Sequence, residues 1–331
     1  MRRGRAIDFF AIAVAALFAG GWVVALDVVA AGDVAPRFGS RVTINPFAPT
    51  APPEAAVLVD AAMRALASYD VYRGESGALR VAVVEPGDTA LDLGVEPPEE
   101  PGIWEIVLSR GAALRRLPDF SIITTVPTSR IQGGRLGDYL IGRWPTAAER
   151  GTRFGDMPAY DPPSGLIRVT PDMVHLPVSE HFTLGDFLTK GQSDVWPKYV
   201  VMSPRLLDKL ELTIQELERT GHPVDDVGII SGFRTPHYNV AGGDPSGRGD
   251  LSRHMYGDAM DWFVDNDRDG GMDDLSGDGV VDAGDGRVIR DAADAVEQAY
   301  PHLVGGIGVY APTGAHRGFV HIDTRGYRAR W

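Results

Sequence analysis

The chain contains no cysteine. Disulfide bonds and thiolate metal ligands are therefore excluded, and any bound metal must take histidine, carboxylate or carbonyl ligands. Basic residues are also scarce, with 32 Lys and Arg against 45 Asp and Glu and a net charge of −13. This balance argues against nucleic acid or anionic lipid as the main partner, because both select basic surfaces.

The N-terminus carries a targeting pattern. Arg2, Arg3 and Arg5 precede an almost uninterrupted apolar run over residues 9–26. A basic segment followed by an apolar one is typical of a signal peptide, here residues 1–31, with small residues before Gly32 as a cleavage site. The run is also long enough to remain as an inner-membrane anchor. Both interpretations stay open, and both predict an exported protein of the periplasm or cell envelope.

The 331 residues, 44% of them hydrophobic, exceed the usual size of one domain. Residues 32–75 are rich in Pro, Ala and Gly and predict a linker with a short helix at 55–69. Four strand-like runs follow, at 79–84, 102–108, 120–126 and 139–143. They predict a small β-sandwich-like module over 76–145 with a structural role. Residues 146–164 form a polar connector.

The C-terminal domain spans 165–331 and mixes helices and strands without regular alternation, which predicts an α+β fold. A helix is expected at 203–220 and another at 291–300. Strands are expected over 165–176, from residue 227, near 260–264, at 306–309 and at 318–324. No internal repeat is present.

Three residues in this domain suit a divalent transition metal: His254, Asp261 and His321. Side chains alternate along a strand, so two adjacent antiparallel strands could aim Asp261 and His321 into one cleft. His254, on the loop before, would complete a set of two nitrogen ligands and one oxygen ligand with a fourth position open for water. Spacing alone leaves a metal site and ordinary structural histidines as equal alternatives.

Longer motifs surround these residues: Ser231-Gly-Phe-Arg-Thr-Pro-His-Tyr-Asn239, Ser252-x-His-x-x-Gly-x-Ala-x-Asp261 and Val320-His-Ile-Asp323. Together they resemble the zinc peptidase superfamily of D-alanyl-D-alanine carboxypeptidases, D-Ala-D-Ala dipeptidases and murein endopeptidases. The similarity is closest to the murein endopeptidase K-like branch and covers about residues 165–331.

The resemblance implies a domain built on an antiparallel sheet with flanking helices, and hydrolysis of an amide bond in peptidoglycan stem peptides or crosslinks. It implies His254, Asp261 and His321 as zinc ligands and Arg234 as the residue that holds the substrate carbonyl or carboxylate. Further substrate contacts are implied at Asn239 and Ser252. Endopeptidase and carboxypeptidase activity, of D,D- or L,D-type, both remain open.

The general base departs from the pattern of the family. Many relatives carry an acidic residue three positions before the last histidine ligand or a histidine two before it, where this chain has Gly318 and Phe319. His316 is the first substitute and His237 a second. Asp323 is also a candidate catalytic residue, better suited to orienting a histidine ligand. The departure keeps an alternative open, a catalytically inactive cell-wall-binding or scaffold protein.

An acidic insertion, residues 265–285, follows the Asp261 strand. Two overlapping frames resemble calcium loops, with oxygen ligands at alternate positions and a glycine at the turn. The first contains Asp265, Asp267 and Asp269, and the second contains Asp274, Ser276, Asp278, Asp282 and Asp285. The insertion therefore predicts either a structural calcium ion beside the zinc domain or a solvated acidic loop.

Overall fold

The computed structural model describes residues 41–44, 80–84, 101–110, 113–243, 245, 248–313 and 317–331. The chain divides into two compact units, Met1–Pro127 and Thr128–Trp331. The division falls well before position 165, so residues 128–164 belong to the C-terminal unit. The fold is mixed α+β, as the sequence predicts.

In the N-terminal unit four strands form one sheet, in the order β1-β4-β3-β2. The strands are β1 (Arg41–Ile44), β2 (Arg80–Val84), β3 (Gly102–Arg110) and β4 (Ala113–Thr124). β1 runs parallel to β4, whereas the other pairs are antiparallel. A short strand, β5 (Val126–Pro127), ends the unit. The second sheet of a sandwich is not among the described residues of this unit.

Two expectations fall outside the described residues, namely the apolar segment 9–26 and the helix at 55–69. Within the part of the chain that the structure describes, no helix is long and apolar enough to cross a membrane.

Short elements open the C-terminal unit. They are β6 (Arg135–Leu136), β7 (Tyr139–Leu140), α1 (Gly151–Phe154), β8 (Gly165–Val169) and β9 (Lys198–Val200). β6 and β7 pair as an antiparallel hairpin, and β8 pairs antiparallel with β9.

A five-stranded sheet forms the centre of this unit, in the order β10-β11-β13-β12-β14. Its strands are β10 (Val227–Ser231), β11 (Ala259–Val264), β12 (Gly306–Tyr310), β13 (Phe319–Asp323) and β14 (Ala329–Arg330). All neighbours are antiparallel except β12 and β14. The sheet therefore places the chain's last residues beside β12, which sequence patterns did not predict.

The helices α2 (Pro204–Arg219), α3 (Pro236–Ala241) and α4 (Ala283–Ala299) complete the unit. The prediction of a helix at 203–220 is confirmed by α2. Pro204 begins it with a φ that is already helical, and its apolar stripe of Leu206, Leu210, Ile214 and Leu217 is completely buried. α2 and α4 pack against each other and onto β13.

The prediction for the second helix was wrong at its N-terminal end, because α4 begins eight residues before position 291. Asp282 caps the helix by accepting a hydrogen bond from the backbone of Gly284, and Asp285 accepts one from the backbone of Asp282. The glycines of its first turns weaken the helical pattern. Gly286 lets the helix approach the side chains of Val309 and Val320 closely, since a Cβ there would lie 2.6 Å from Val309 Cγ1.

Candidate metal centre

At the candidate metal site, a row of residues that pair across neighbouring strands crosses the five-stranded sheet. Asp261 of β11 lies directly opposite His321 of β13. On either side, Ser231 of β10 pairs with Asp261 and Gly308 of β12 pairs with His321. The prediction that two adjacent antiparallel strands bring Asp261 and His321 together is confirmed. The opposite face of the same strands carries Val320, which packs on α4.

His254 reaches the row from a 3₁₀ turn, Arg253–Tyr256, just before β11. The turn ends at Gly257 with φ +70°, and a Cβ there would lie 2.4 Å from the carbonyl oxygen of Val201. Only glycine fits this position without strain or clash. The backbone carbonyl of His254 also accepts a hydrogen bond from the amide of Arg234 at 3.1 Å. Gly257 and the hydrogen bond to the His254 carbonyl together fix the position of the turn.

Three donor atoms converge. His254 Nε2 lies 3.1 Å from Asp261 Oδ1 and 3.2 Å from His321 Nδ1, and His321 Nδ1 lies 2.8 Å from Asp261 Oδ1. All three side chains are buried. Ligands about 2.0–2.1 Å from a tetrahedral zinc ion stand about 3.3 Å apart. The three atoms are thus spaced closely enough to hold one such ion.

In each histidine ring, the nitrogen that points away from Asp261 also has a hydrogen-bond partner. His254 Nδ1 lies 2.7 Å from the carbonyl oxygen of Gly232, and His321 Nε2 lies 3.0 Å from Asp323 Oδ2. Each of these nitrogens donates its proton outward, so when the ring is neutral the other nitrogen turns a lone pair toward Asp261. Two lone pairs and a carboxylate facing one another repel unless a cation lies between them. This donor set fits a divalent metal.

The pKa shifts of the three side chains in the metal-free site also indicate a place for a cation. Burial lowers the pKa of His254 and favours its neutral form. Burial also acts to lower the pKa of His321, but hydrogen bonds to Asp261 and Asp323 outweigh it and raise that pKa to about 9. For Asp261, burial acts to raise the pKa, yet the two imidazoles hold it well below its usual range. A proton on His321 thus satisfies the site where a metal ion would otherwise do so.

Arg234 adjoins the three ligands. Its Nη2 donates to Asp261 Oδ2 at 2.7 Å and its Nε donates to Ser231 Oγ at 2.8 Å. Nη1 makes no hydrogen bond with any described residue, and the side chain lines an open cleft. Arg234 therefore presents one N–H edge toward any molecule that enters beside the three ligands.

The cleft has a volume of about 640 Å³. His254, Asp261 and His321 lie in its wall, and aromatic rings contribute most of its apolar lining. Tyr310 and Phe319 stack with ring centroids 4.5 Å apart. A cleft of this size can enclose a small organic ligand beside the three buried side chains in its wall.

Of the other predicted site residues, some line the cleft and some do not. Ser252 lines the cleft. Asn239 is buried outside it, where Nδ2 donates to the carbonyl oxygen of Gly249 at 3.1 Å. Asp323 is completely buried behind His321, where its carboxylate contacts the His321 ring and pairs with Arg325 of the cleft lining. His237 is the second residue of α3 and lies outside the cleft lining, with its backbone against Gly142. His316 lies outside the described residues.

Sequence reasoning missed two supports of the site. Arg253 makes a two-point ion pair with Asp258, at 3.0 and 2.6 Å, and lies over the rings of Tyr160 and Tyr256. This pair fastens the turn that carries His254. The five-residue spacing of Arg253 and Asp258 does not predict an ion pair, because their contact depends on how the turn bends.

Trp331 is the second missed support. Its ring centroid lies 5.3 Å from that of His321, and its Nε1 donates to Tyr310 Oη at 2.7 Å. Gly308 makes room for it, since a Cβ there would lie 2.4 Å from the indole. The last residue of the chain thus forms part of the cleft wall.

In the acidic insertion, the carboxylates of Asp265, Asp267 and Asp269 lie within 4.8 Å of one another. The second frame forms no such group among the described residues. There Asp274 accepts hydrogen bonds from the backbone of Gly277 and Gly279, while Asp282 and Asp285 cap α4. Calcium binding by the insertion stays a prediction.

Comparisons with protein-family models, with curated proteins and with solved structures gave no match to this chain. The functional argument therefore depends on the residues and geometry described above.

Proposed function

We propose that this chain is a zinc-dependent peptidase that hydrolyses an amide bond in the stem peptides or crosslinks of peptidoglycan. The observation that supports the proposal most is the convergence of His254 Nε2, Asp261 Oδ1 and His321 Nδ1 in the wall of an open cleft, with no two of these atoms more than 3.2 Å apart. The motifs that resemble zinc peptidases of the cell wall contain these same three residues.

In the proposed reaction His254, Asp261 and His321 hold the ion. Zinc supplies a Lewis acid and lowers the pKa of water toward neutrality. Arg234 holds the carbonyl or carboxylate of the peptide through its free N–H edge, because a guanidinium donates in a fixed fork. Asp323 fixes His321 in the tautomer that leaves Nδ1 available.

The proposed base is His316, as the sequence suggests. Among the described residues, Asp261 is the only carboxylate that lines the cleft, and it belongs to the ligand set. An acidic base of the kind that many relatives use is therefore not among the described cleft residues. A histidine from the neighbouring loop would act on a proton without competing for the metal.

The proposed substrate lies outside the cytoplasm, so the proposal requires export. The basic residues and apolar run at the N-terminus support it. We propose a location in the periplasm or cell envelope, with residues 9–26 as the inner-membrane anchor if that segment is retained.

The test is digestion of isolated peptidoglycan by the zinc-loaded protein, with mass spectrometry of the released fragments. We expect wild type to release peptides and His254→Ala to release none, while both keep the same circular dichroism. The masses of the fragments identify the bond that is cut. Absence of release from several types of cell wall, with zinc shown to be bound, would refute the enzymatic proposal.

The second candidate is a catalytically inactive protein that binds the wall through the same cleft. The lack of a second carboxylate in the described cleft lining favours it. It predicts co-sedimentation with peptidoglycan that zinc loading leaves unchanged, without any fragment release. The digestion experiment separates the two candidates, because only the peptidase releases fragments.

A further inference from the structure

Lys209 of α2 is completely buried, which is rare for a lysine because its ammonium group must lose its hydration. Its Nζ donates to Glu297 Oε1 of α4 at 2.6 Å and to the backbone carbonyl oxygen of Asp323 at 2.7 Å. Glu297 is buried as well. A buried ion pair seldom stabilises a fold more than well-packed apolar side chains of the same volume would. What this pair provides in addition is a fixed position for the Asp323 carbonyl.

Glu297 extends the network to the turn before β12. Its Oε1 also accepts a hydrogen bond from the backbone amide of Gly305 at 2.9 Å, and the next amide, that of Gly306, donates to Asp323 Oδ1 at 2.8 Å. Neither glycine leaves space beside Asp323, since an added Cβ at Gly305 would collide with its carbonyl oxygen and one at Gly306 with its Oδ2. The turn that Glu297 holds therefore packs directly on the aspartate.

Asp323 is thus held at its carbonyl by Lys209 and at its carboxylate by Gly306. The same carboxylate lies 3.0 Å from Nε2 of His321, two residues earlier on β13. A shift of this strand end moves the His321 ring, whose Nδ1 lies 2.8 Å from Asp261 Oδ1. Metal affinity depends on the placement of the ligands to within about 0.5 Å. Contacts that fix the end of β13 therefore also fix the candidate metal centre.

We propose that Lys209 and Glu297 are positioning residues for this centre. They act through Asp323, by fixing its carbonyl oxygen directly and its carboxylate through the turn before β12. Neither side chain lines the cleft, so the pair influences the metal only from behind His321. The inference rests on the ligand set of the proposed function but requires no substrate, and metal binding alone tests it.

The test is Lys209→Met in the full-length chain. Methionine fills a similar volume, and Glu297 keeps Arg330 as an ion-pair partner, so the variant leaves no buried carboxylate unpaired. We expect the zinc affinity, measured against a chromophoric chelator, to fall about 10-fold. The visible absorption of cobalt(II), bound at saturation in place of zinc, should also shift, because these bands report the arrangement of the ligands around the ion. A loss of stability alone would not change that spectrum.

Glu211→Gln is the matched control. Glu211 is also a buried charge of α2, but its carboxylate lies 2.7 Å from His181 Nδ1, and neither residue lines the cleft. This variant should lose stability and keep both the zinc affinity and the cobalt spectrum of wild type. Wild-type affinity and spectrum in Lys209→Met, or the same changes in both variants, would overturn the inference.

The two proposals fail in different ways. A wild type that binds neither ion would refute the proposed metal centre and the positioning role together. Digestion that releases no fragments, with zinc shown to be bound, refutes the peptidase alone, because the affinities and cobalt spectra of Lys209→Met and Glu211→Gln still decide the role of Lys209.

Discussion

His321 and Asp323 share one strand and one face, and their side chains meet, with His321 Nε2 lying 3.0 Å from Asp323 Oδ2. The carboxylate is itself fixed, because the backbone amide of Gly306 and Nε of Arg325 donate to it at 2.8 and 2.9 Å. A fully fixed acceptor determines which ring nitrogen carries the proton. In the neutral ring the nitrogen that faces Asp261 therefore carries no proton and can bind a metal.

Asp323→Asn should weaken zinc binding by about 10- to 100-fold. The amide of asparagine could donate to Nε2 of His321, and the ring proton would then move to Nδ1, where it blocks the ligand position. Competition against a chromophoric zinc chelator measures the affinity. The apo form of the variant should keep its circular dichroism, which separates loss of the ligand from unfolding.

Asp294→Asn is the control for that variant. Asp294 is a carboxylate of the same unit that pairs with Arg328 and Arg330 and lies outside the metal ligand set. Its loss should leave the zinc affinity unchanged. If Asp323→Asn binds zinc as tightly as Asp294→Asn, Asp323 does not set the tautomer of His321.

Arg234→Lys should retain zinc and lose activity. Lysine keeps the charge beside Asp261, but its single nitrogen lacks the fork by which separate arginine nitrogens reach Ser231, Asp261 and a substrate. We expect kcat/KM to fall by about 10²- to 10³-fold, with a zinc content equal to that of wild type. Arg143→Lys provides the comparison, since Arg143 forms an exposed pair with Glu149 outside the cleft. Equal activity of the two variants would exclude Arg234 from the reaction.

The convergence of His254, Asp261 and His321 could be predicted from sequence, whereas the surrounding cleft could not. Alternation along two short strands predicted Asp261 and His321 in one cleft, and the loop just before the first strand supplied His254. Trp331 reaches the cleft only because β14 pairs in parallel with β12, a contact between distant segments with no local pattern. Such contacts depend on tertiary structure.

The boundaries of helices were predictable where caps and propensities agree. Pro204 marked the start of α2. The start of α4 was hidden because its first turn contains glycine and follows an acidic loop, so that Asp282 and Asp285 resembled calcium ligands while they also serve as a cap. Aspartate can act either as a calcium ligand or as a helix cap, and only the backbone geometry shows which role it has.

Asp208 of α2 should make stability depend on pH. Burial raises its pKa to about 7, against an ordinary value of 3.8. Between these two values the folded chain binds more protons than the unfolded chain, so the free energy of unfolding should fall as the pH rises from about 4 to 7. For one group the slope is at most about 1.4 kcal/mol per pH unit. Urea unfolding at several pH values measures it.

Asp208→Asn should remove this contribution and make the protein more stable than wild type at pH 8. Asp291→Asn, at an exposed position of α4, serves as the reference because, among the described residues, its carboxylate pairs only with the neighbouring Arg290. A difference between wild type and Asp208→Asn that does not change with pH would contradict the assignment.

Gly257→Ala should destabilise the fold and reduce zinc affinity together. An alanine at φ +70° costs about 1–2 kcal/mol, and its Cβ would also lie 2.4 Å from the carbonyl oxygen of Val201. Relief of that clash must move the turn that carries His254. Gly277→Ala is the matched control, with φ +72° and no atom within 4 Å of the added Cβ. Chemical denaturation and zinc titration of both variants isolate the clash, and equal losses in the two would show that Gly257 matters only for its backbone conformation.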